Sequence, residues 1–194
     1  MTDAEYLIEG ERIALGPLRR DLAETYARWM NSLDVRTGLS HLGLLDRTTE
    51  EAWLEDTLTA NAKHEPDRAN FTIYDRRDRE AIGTCALFDV NHHHARARFG
   101  ILLGERRGEG LGTEATRLTL DWGFHVLSLR NVLLEVLPWN AGAIRAYEKA
   151  GFKLIGRRRD AILAHGRRWD EVYMDALASE FEGSVLAGRL PTAE

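Results

Sequence analysis

The chain has 194 residues, one cysteine, 26 basic and 31 acidic side chains and a formal charge of −5, which describes one globular domain long enough to bury a core. No stretch approaches the roughly 20 apolar residues of a membrane span, and the acidic N-terminus MTDAEYLIEGER has no apolar signal core, so neither a membrane partner nor export is expected. The lone Cys85 cannot form an internal disulfide, which fits a reducing cytoplasm, the expected location.

Residues 11–17 alternate polar and apolar side chains and read as a strand closed by Gly16 and Pro17. A helix then opens at Asp21, with Leu22, Tyr26, Trp29 and Met30 on one face, and ends near Asn31. Thr48 and Glu51 form a T-x-x-E capping box, which predicts a second helix over residues 48–62. From Phe71 the hydrophobic period changes to two. Residues 71–74, 81–88 and 96–103 read as an antiparallel meander, turning at DRRDRE and at NHHH. A helix over residues 110–124 presents Leu111, Ala115, Leu118 and Trp122 on one face. A strand over 131–137, a helix over 141–150 stopped by Gly151, and a hairpin of 153–159 with 168–176 complete the order β-α-α-β-β-β-α-β-α-β-β. Residues 1–177 are read as a single domain and 178–194 as a partly disordered C-terminal tail.

Between the third meander strand and its helix lies Arg106-Arg107-Gly108-Glu109-Gly110-Leu111-Gly112-Thr113. Three alternate glycines let the backbone turn sharply and leave its N–H groups open at a helix N-terminus, where the peptide dipoles favour an anion. A plain tight turn would need one glycine. A P-loop would need a lysine before its Ser or Thr, and a dinucleotide-binding fingerprint would place its third glycine one residue later. The charge distribution agrees with a phosphate ligand. Residues 1–70 hold 14 acidic and 8 basic side chains, whereas residues 96–170 hold 14 basic and 8 acidic. That surplus is too small and interrupted for a duplex nucleic-acid footprint, so no nucleic-acid partner is expected.

The segment RGEGLG resembles the R/Q-x-x-G-x-G/A coenzyme A motif of the GNAT N-acetyltransferase superfamily, with Arg107, Gly110 and Gly112 at its defining positions. Downstream, residues 140–152 (NAGAIRAYEKAGF) resemble the N-x-x-A-x-x-x-Y-x-K-x-G-F signature of the RimJ/RimL branch. The resemblance covers about residues 8–176, including the R-W-x-N-S-x-D segment from Arg28 to Asp34. It implies an α/β GNAT fold, whose central, mostly antiparallel mixed sheet is flanked by helices and splits to admit acetyl-CoA, the expected cosubstrate. It also implies acetyl transfer to a primary amine, without a metal. Coenzyme A contacts are expected from Ile101, Leu102 and Leu103, from Arg106 to Thr113, and from Asn140, Ala143 and Tyr147.

At pH 7 only about 1 in 10³ alkylammonium groups is the free nucleophile, a penalty of roughly 4–5 kcal/mol, so a base is needed. Glu135 is the first candidate. Its neighbours Leu133, Leu134, Val136 and Leu137 would desolvate it, and it stands where ribosomal-protein acetyltransferases of the superfamily hold a base; a strand-edge carboxylate in solvent or an ion pair with an arginine is the other reading. Tyr147 is the candidate acid for the departing thiolate, although its face would also serve as packing surface. Asn140 suits a helix N-cap and a pantetheine contact alike. The N-terminal helices carry a surplus of carboxylates, with Trp29, His41 and Trp53 nearby, which would suit a cationic acceptor or a merely solvated surface. The acceptor is left open between a protein N-terminal amine and a small-molecule amine such as a polyamine, aminoglycoside or amino-acid derivative. A homodimer, another acyl donor and a non-catalytic acyl-CoA-binding sensor are left open as well. His92, His93 and His94 read as a solvated turn, and Cys85 as a buried thiol.

Overall fold

The computed structural model describes residues 6–39, 43–164 and 166–189. A short strand β1 (Ile8–Glu9) turns back into β2 (Ile13–Pro17); then come α1 (Ala23–Asn31), the one-turn α2 (Leu33–Arg36) and α3 (Arg47–Asn61). The meander follows as β3 (Ala69–Asp75), β4 (Ala81–Asn91) and β5 (Arg96–Leu103). The second half is α4 (Leu111–His125), β6 (Asn131–Val136), α5 (Ala141–Ala150), β7 (Lys153–Ala164) and β8 (Arg167–Leu177). The strands form one eight-stranded sheet in the order β1-β2-β3-β4-β5-β6-β8-β7, antiparallel throughout except for the β5–β6 pair. The expected mixed, mostly antiparallel sheet flanked by helices is therefore present, with β1 and α2 as additions.

Alternation along the strands explains how two layers of helix attach. Ile73, Leu87, Phe99, Val132 and Leu134 point to one face and bury against Leu111, Ala115 and Leu118 of α4. On the other face, Tyr26 and Trp29 of α1 and Leu54 of α3 pack with Leu102 of β5 in a smaller cluster. Among the described residues no helix is long and apolar enough to cross a membrane.

Three local expectations need correction. Helix α3 is capped by Asp46, whose Oδ1 accepts the Thr49 amide at 2.7 Å, so the chain enters the helix two residues before the T-x-x-E pattern suggested. Strand β7 runs five residues past its expected end, because Ile162, Leu163 and Ala164 still pair with Trp169, Arg168 and Arg167, and β8 gains one residue at each end. The segment after Leu177 is packed rather than loose as far as Leu186. Leu186 is buried, Phe181 lies edge-on to Phe124, and the buried Asp121 accepts from Ser184 Oγ (2.5 Å) and the Val185 amide (2.7 Å). Cys85 is buried as expected. Its Sγ lies 3.0 Å from the Thr119 hydroxyl, and burial pushes the thiol up to about 12.

Candidate active site

Strands β5 and β6 pair only through Arg96↔Asn131, Ala97↔Val132 and Arg98↔Leu133. Beyond that point they diverge, and β5 runs on to Leu103 paired with β4 alone. The opening is continued by the α4 N-terminus and by α5 into a cavity of about 560 Å³, a size suited to a small-molecule ligand. Ile101, Leu102 and Leu103 line it, so the backbone edge that β6 leaves unpaired faces the cavity.

The glycine-rich turn forms one end. Gly108 and Gly110 adopt φ of +82° and +80°, left-handed values that a residue without Cβ reaches at little cost, and Gly110 is the N-cap of α4. At Gly112 the constraint is space, since a Cβ would come within 3.2 Å of the Leu103 side chain. Gly108, Gly110, Gly112 and Thr113 line the cavity, so the N-terminal end of α4 opens onto it, where the leading N–H groups of a helix have no preceding turn to bond; the Thr113 amide reaches only the Gly110 carbonyl, at 3.2 Å. Arg107, Arg145 and Lys149 line the same cavity, and none of the three pairs with a carboxylate among the described residues. Arg107 is held by its Nε, which donates to the Leu103 carbonyl at 2.7 Å. Unpaired cations around open amides make an anion-receiving surface.

Asn140 caps α5 as expected, accepting the Ala143 amide on Oδ1 at 3.2 Å, and both residues line the cavity. Tyr147 is wedged between Phe99 (centroids 6.1 Å apart, 87°) and Phe152 (6.0 Å, 61°), and desolvation pushes its phenol up to about 12. Its ring lines the cavity, and its hydroxyl has no hydrogen-bond partner among the described residues.

Several expected site residues lie elsewhere. Arg106 is engaged by Asp75 and Asp78 behind the turn, Glu109 by Arg77, and Leu111 is buried in the main core, so none of these three side chains lines the cavity. Glu135 is not surrounded by its apolar sequence neighbours. Val132, Leu134 and Val136 take the core face, which leaves Glu135 on the opposite face, paired with the Arg98 guanidinium and outside the cavity lining. Arg98 also bonds Asp89 at 3.1 Å. Trp29 is buried at 2% exposure. Its Nε1 donates to Glu105 at 3.0 Å, and its ring fills the space where a Cβ on Gly104 would sit, so it supports the β5 end and does not line the cavity. Trp53 is exposed on α3 and does not line the cavity; His41 lies outside the described residues. The NHHH segment forms a turn in which His92 Nε2 contacts the Pro66 carbonyl at 2.9 Å, and no group of three potential metal ligands converges among the described residues.

Besides Arg145 and Lys149, the lining residues Asp34 and Trp139 were not singled out from sequence. Asp34 of α2 lines the cavity, and its carboxylate has no partner among the described residues. Trp139 donates its Nε1 to the Thr37 carbonyl at 2.9 Å, which ties the segment after α2 across the cavity to the start of α5, and it packs edge-on against Trp169. Both directly adjoin recognised motifs: Asp34 closes R-W-x-N-S-x-D, and Trp139 precedes Asn140.

A family model described as an acetyltransferase (GNAT) domain matches residues 12–153. The spermidine N(1)-acetyltransferase of Escherichia coli K12 is 34% identical over 113 residues, which is 58% of this chain and spans 61% of that relative's length. The probable N-acetyltransferase YjcK of Bacillus subtilis is 30% identical over 164 residues, covering 82% of this chain and 91% of its own. Among solved structures, spermidine N-acetyltransferase from Vibrio cholerae in complex with CoA and spermine superposes with a TM-score of 0.79, over 89% of this chain and 99% of that one, at 22% identity, a likeness of fold. With its split mixed sheet, glycine-rich turn and family match through the central motifs, the chain belongs to the GNAT acetyltransferase family.

Proposed function

We propose that the protein transfers an acetyl group from acetyl-CoA to a primary amine by direct attack. The observation that carries this reading is the left-handed glycine turn with Arg107, Arg145 and Lys149 around it, none of them in an ion pair among the described residues, at the mouth of a split sheet. The diphosphate would rest on the first turn of α4, where dipole and cations act together. The pantetheine arm would run along Ile101 to Leu103, its amides taking the place of the missing β6 partners. A β5 N–H directed at the thioester oxygen would stabilise the developing oxyanion by about 3 kcal/mol.

The amine nitrogen attacks the thioester carbonyl carbon, the C–S bond breaks, and the amine proton must leave while the thiolate is stabilised. Tyr147 is the donor to that thiolate. With its phenol at about 12 against a thiol near 8.5, full proton transfer runs about 5 kcal/mol uphill, so a hydrogen bond to the sulfur is the supported role. For the amine, Asp34 is favoured as the group that holds the ammonium, since it lines the cavity and its carboxylate has no partner among the described residues. Glu135 remains the proposed base only by way of water, because its carboxylate is paired with Arg98 on the other face of the sheet.

A small-molecule amine is the favoured acceptor, supported by Asp34 and by relatives named for spermidine. The residues 140–152 that resemble the RimJ/RimL signature support a protein N-terminal amine as the second candidate. A homodimer is supported by β7, a 12-residue edge strand with Leu154, Ile155 and Leu163 exposed, and a cytoplasmic setting by the single buried thiol. The deciding experiment mixes the protein with acetyl-CoA and a panel of polyamines, aminoglycosides, amino acids and peptides, following thiol release and product mass. Acceptor-dependent thiol release with a 42-Da gain on the amine, the mass of the added acetyl group, is expected. Coenzyme A binding with no release for any amine would replace the enzyme by a sensor.

A further inference from the structure

The glycine turn is braced from behind by a charged cluster that does not face the cavity. Asp75 ends β3 with a side chain 1% exposed, and its carboxylate accepts from the Arg77 amide (2.9 Å), Arg77 Nη2 (2.7 Å) and Arg106 Nη1. Arg106 also donates to Asp78, and Arg77 reaches Glu109 Oε2 at 3.3 Å. From the other side, Arg12 Nη1 donates to the Glu109 carbonyl at 3.0 Å. Two guanidiniums shared among three carboxylates thus join the β3–β4 turn to the glycine turn. Arg106 itself is left-handed, with φ of +53°, a conformation costing roughly 1–2 kcal/mol in a residue with a Cβ. That twist sends the Arg106 side chain to the brace, while the next residue, Arg107, lines the cavity.

We propose that Asp75 is a positioning residue for coenzyme A binding: through Arg106 it holds the glycine turn in its anion-receiving shape before the ligand arrives. The proposal rests on the reading of the cavity as the coenzyme A site. Its rival is that Arg106 is a phosphate ligand restrained by Asp75, and the two differ in sign. In Asp75→Asn the side chain keeps its size and can still accept the Arg77 amide, but it loses the charge that holds Arg106. If Asp75 positions the turn, this variant binds coenzyme A more weakly; if Asp75 competes with phosphate for Arg106, it binds more tightly.

The test is calorimetry of coenzyme A with the full chain, paired with steady-state kinetics. Asp75→Asn is expected to weaken coenzyme A binding about tenfold or more, the scale of a lost charge-assisted hydrogen bond. The KM for acetyl-CoA should rise in step, while kcat at saturation and the acceptor KM stay within about threefold, because the reacting atoms are untouched. Asp78→Asn, on the exposed side of the brace, should act in the same direction by about threefold, and it decides the matter should Asp75→Asn fail to fold. Unchanged or tighter coenzyme A binding in a folded variant overturns the proposal, as does a parallel loss of kcat and of both substrates' binding. A wild-type chain that binds no coenzyme A overturns the cavity assignment itself, and the positioning role with it.

Discussion

Gly110→Asp is the sharpest perturbation of the cradle. The residue sits at φ +80° and caps α4, so any Cβ there carries roughly 1 kcal/mol of backbone strain, which is charged to folding. The added Cβ meets only Arg12 Nη2 at 3.4 Å, an ordinary contact, so crowding by protein is not the cause of any effect. The charge is. A carboxylate roughly 5 Å from a bound phosphate, at an effective dielectric of about 20–40, opposes it by about 2–3 kcal/mol per charge, or a 30- to 150-fold loss of affinity. Partial pairing with Arg12 sets the lower figure. Gly110→Asn is the matched control, because asparagine tolerates the left-handed region and has the same shape without the charge. Calorimetry of coenzyme A should show a large Asp–Asn difference at low salt that shrinks as salt screens it. A folded Gly110→Asp protein that binds coenzyme A as tightly as wild type would refute the placement of phosphate on this turn.

Tyr147→Phe keeps the ring between Phe99 and Phe152 and removes only the free hydroxyl, so kcat should fall about 10- to 100-fold with little change in the KM for acetyl-CoA; an unchanged kcat would make Tyr147 a packing residue. Asp34→Asn should raise the KM of a cationic acceptor about tenfold, whereas Glu135→Gln, if Glu135 takes the proton through water, should lower turnover at neutral pH and recover as rising pH frees the amine. A Glu135→Gln profile that parallels wild type at every pH would remove Glu135 from the chemistry. Deleting residues 178–194 strips Ser184 Oγ and the Val185 amide from the buried Asp121 and should cost about 2–4 kcal/mol, a fall in Tm of about 5–15 °C. A Tm that does not move would mean that the packed segment contributes nothing.

What the sequence made legible was local chemistry. Gly108, Gly110, Asn140 and Gly151 announce their conformations because few other residues serve in such turns and caps, and the structure gives them those roles. What it concealed was tertiary. Arg106 and Arg107 look equivalent in the chain, yet one left-handed residue sends one to Asp75 and the other to the cavity. Trp29 reads as an aromatic near a pocket until Gly104 is found beneath it. Glu135 has four apolar neighbours in sequence, but a strand turns every second residue away, and the residue that meets its carboxylate is Arg98, 37 positions earlier. The C-terminal segment has no periodicity to reveal that Asp121 needs its hydrogen bonds.

The three-residue ladder between β5 and β6 has a mechanical consequence. The sheet is two plates, β1–β5 and β6–β8 with β7, joined by that short seam and by the packing of α4 on α5. A ligand lying along Ile101 to Leu103 would act as a surrogate strand, closing a gap that the chain leaves to solvent. The amide protons of residues 99–103 that point away from β4 should then exchange fast in the free protein and slowly in the bound one, and the stability of the whole domain should climb with ligand concentration as the two plates come to melt as one body.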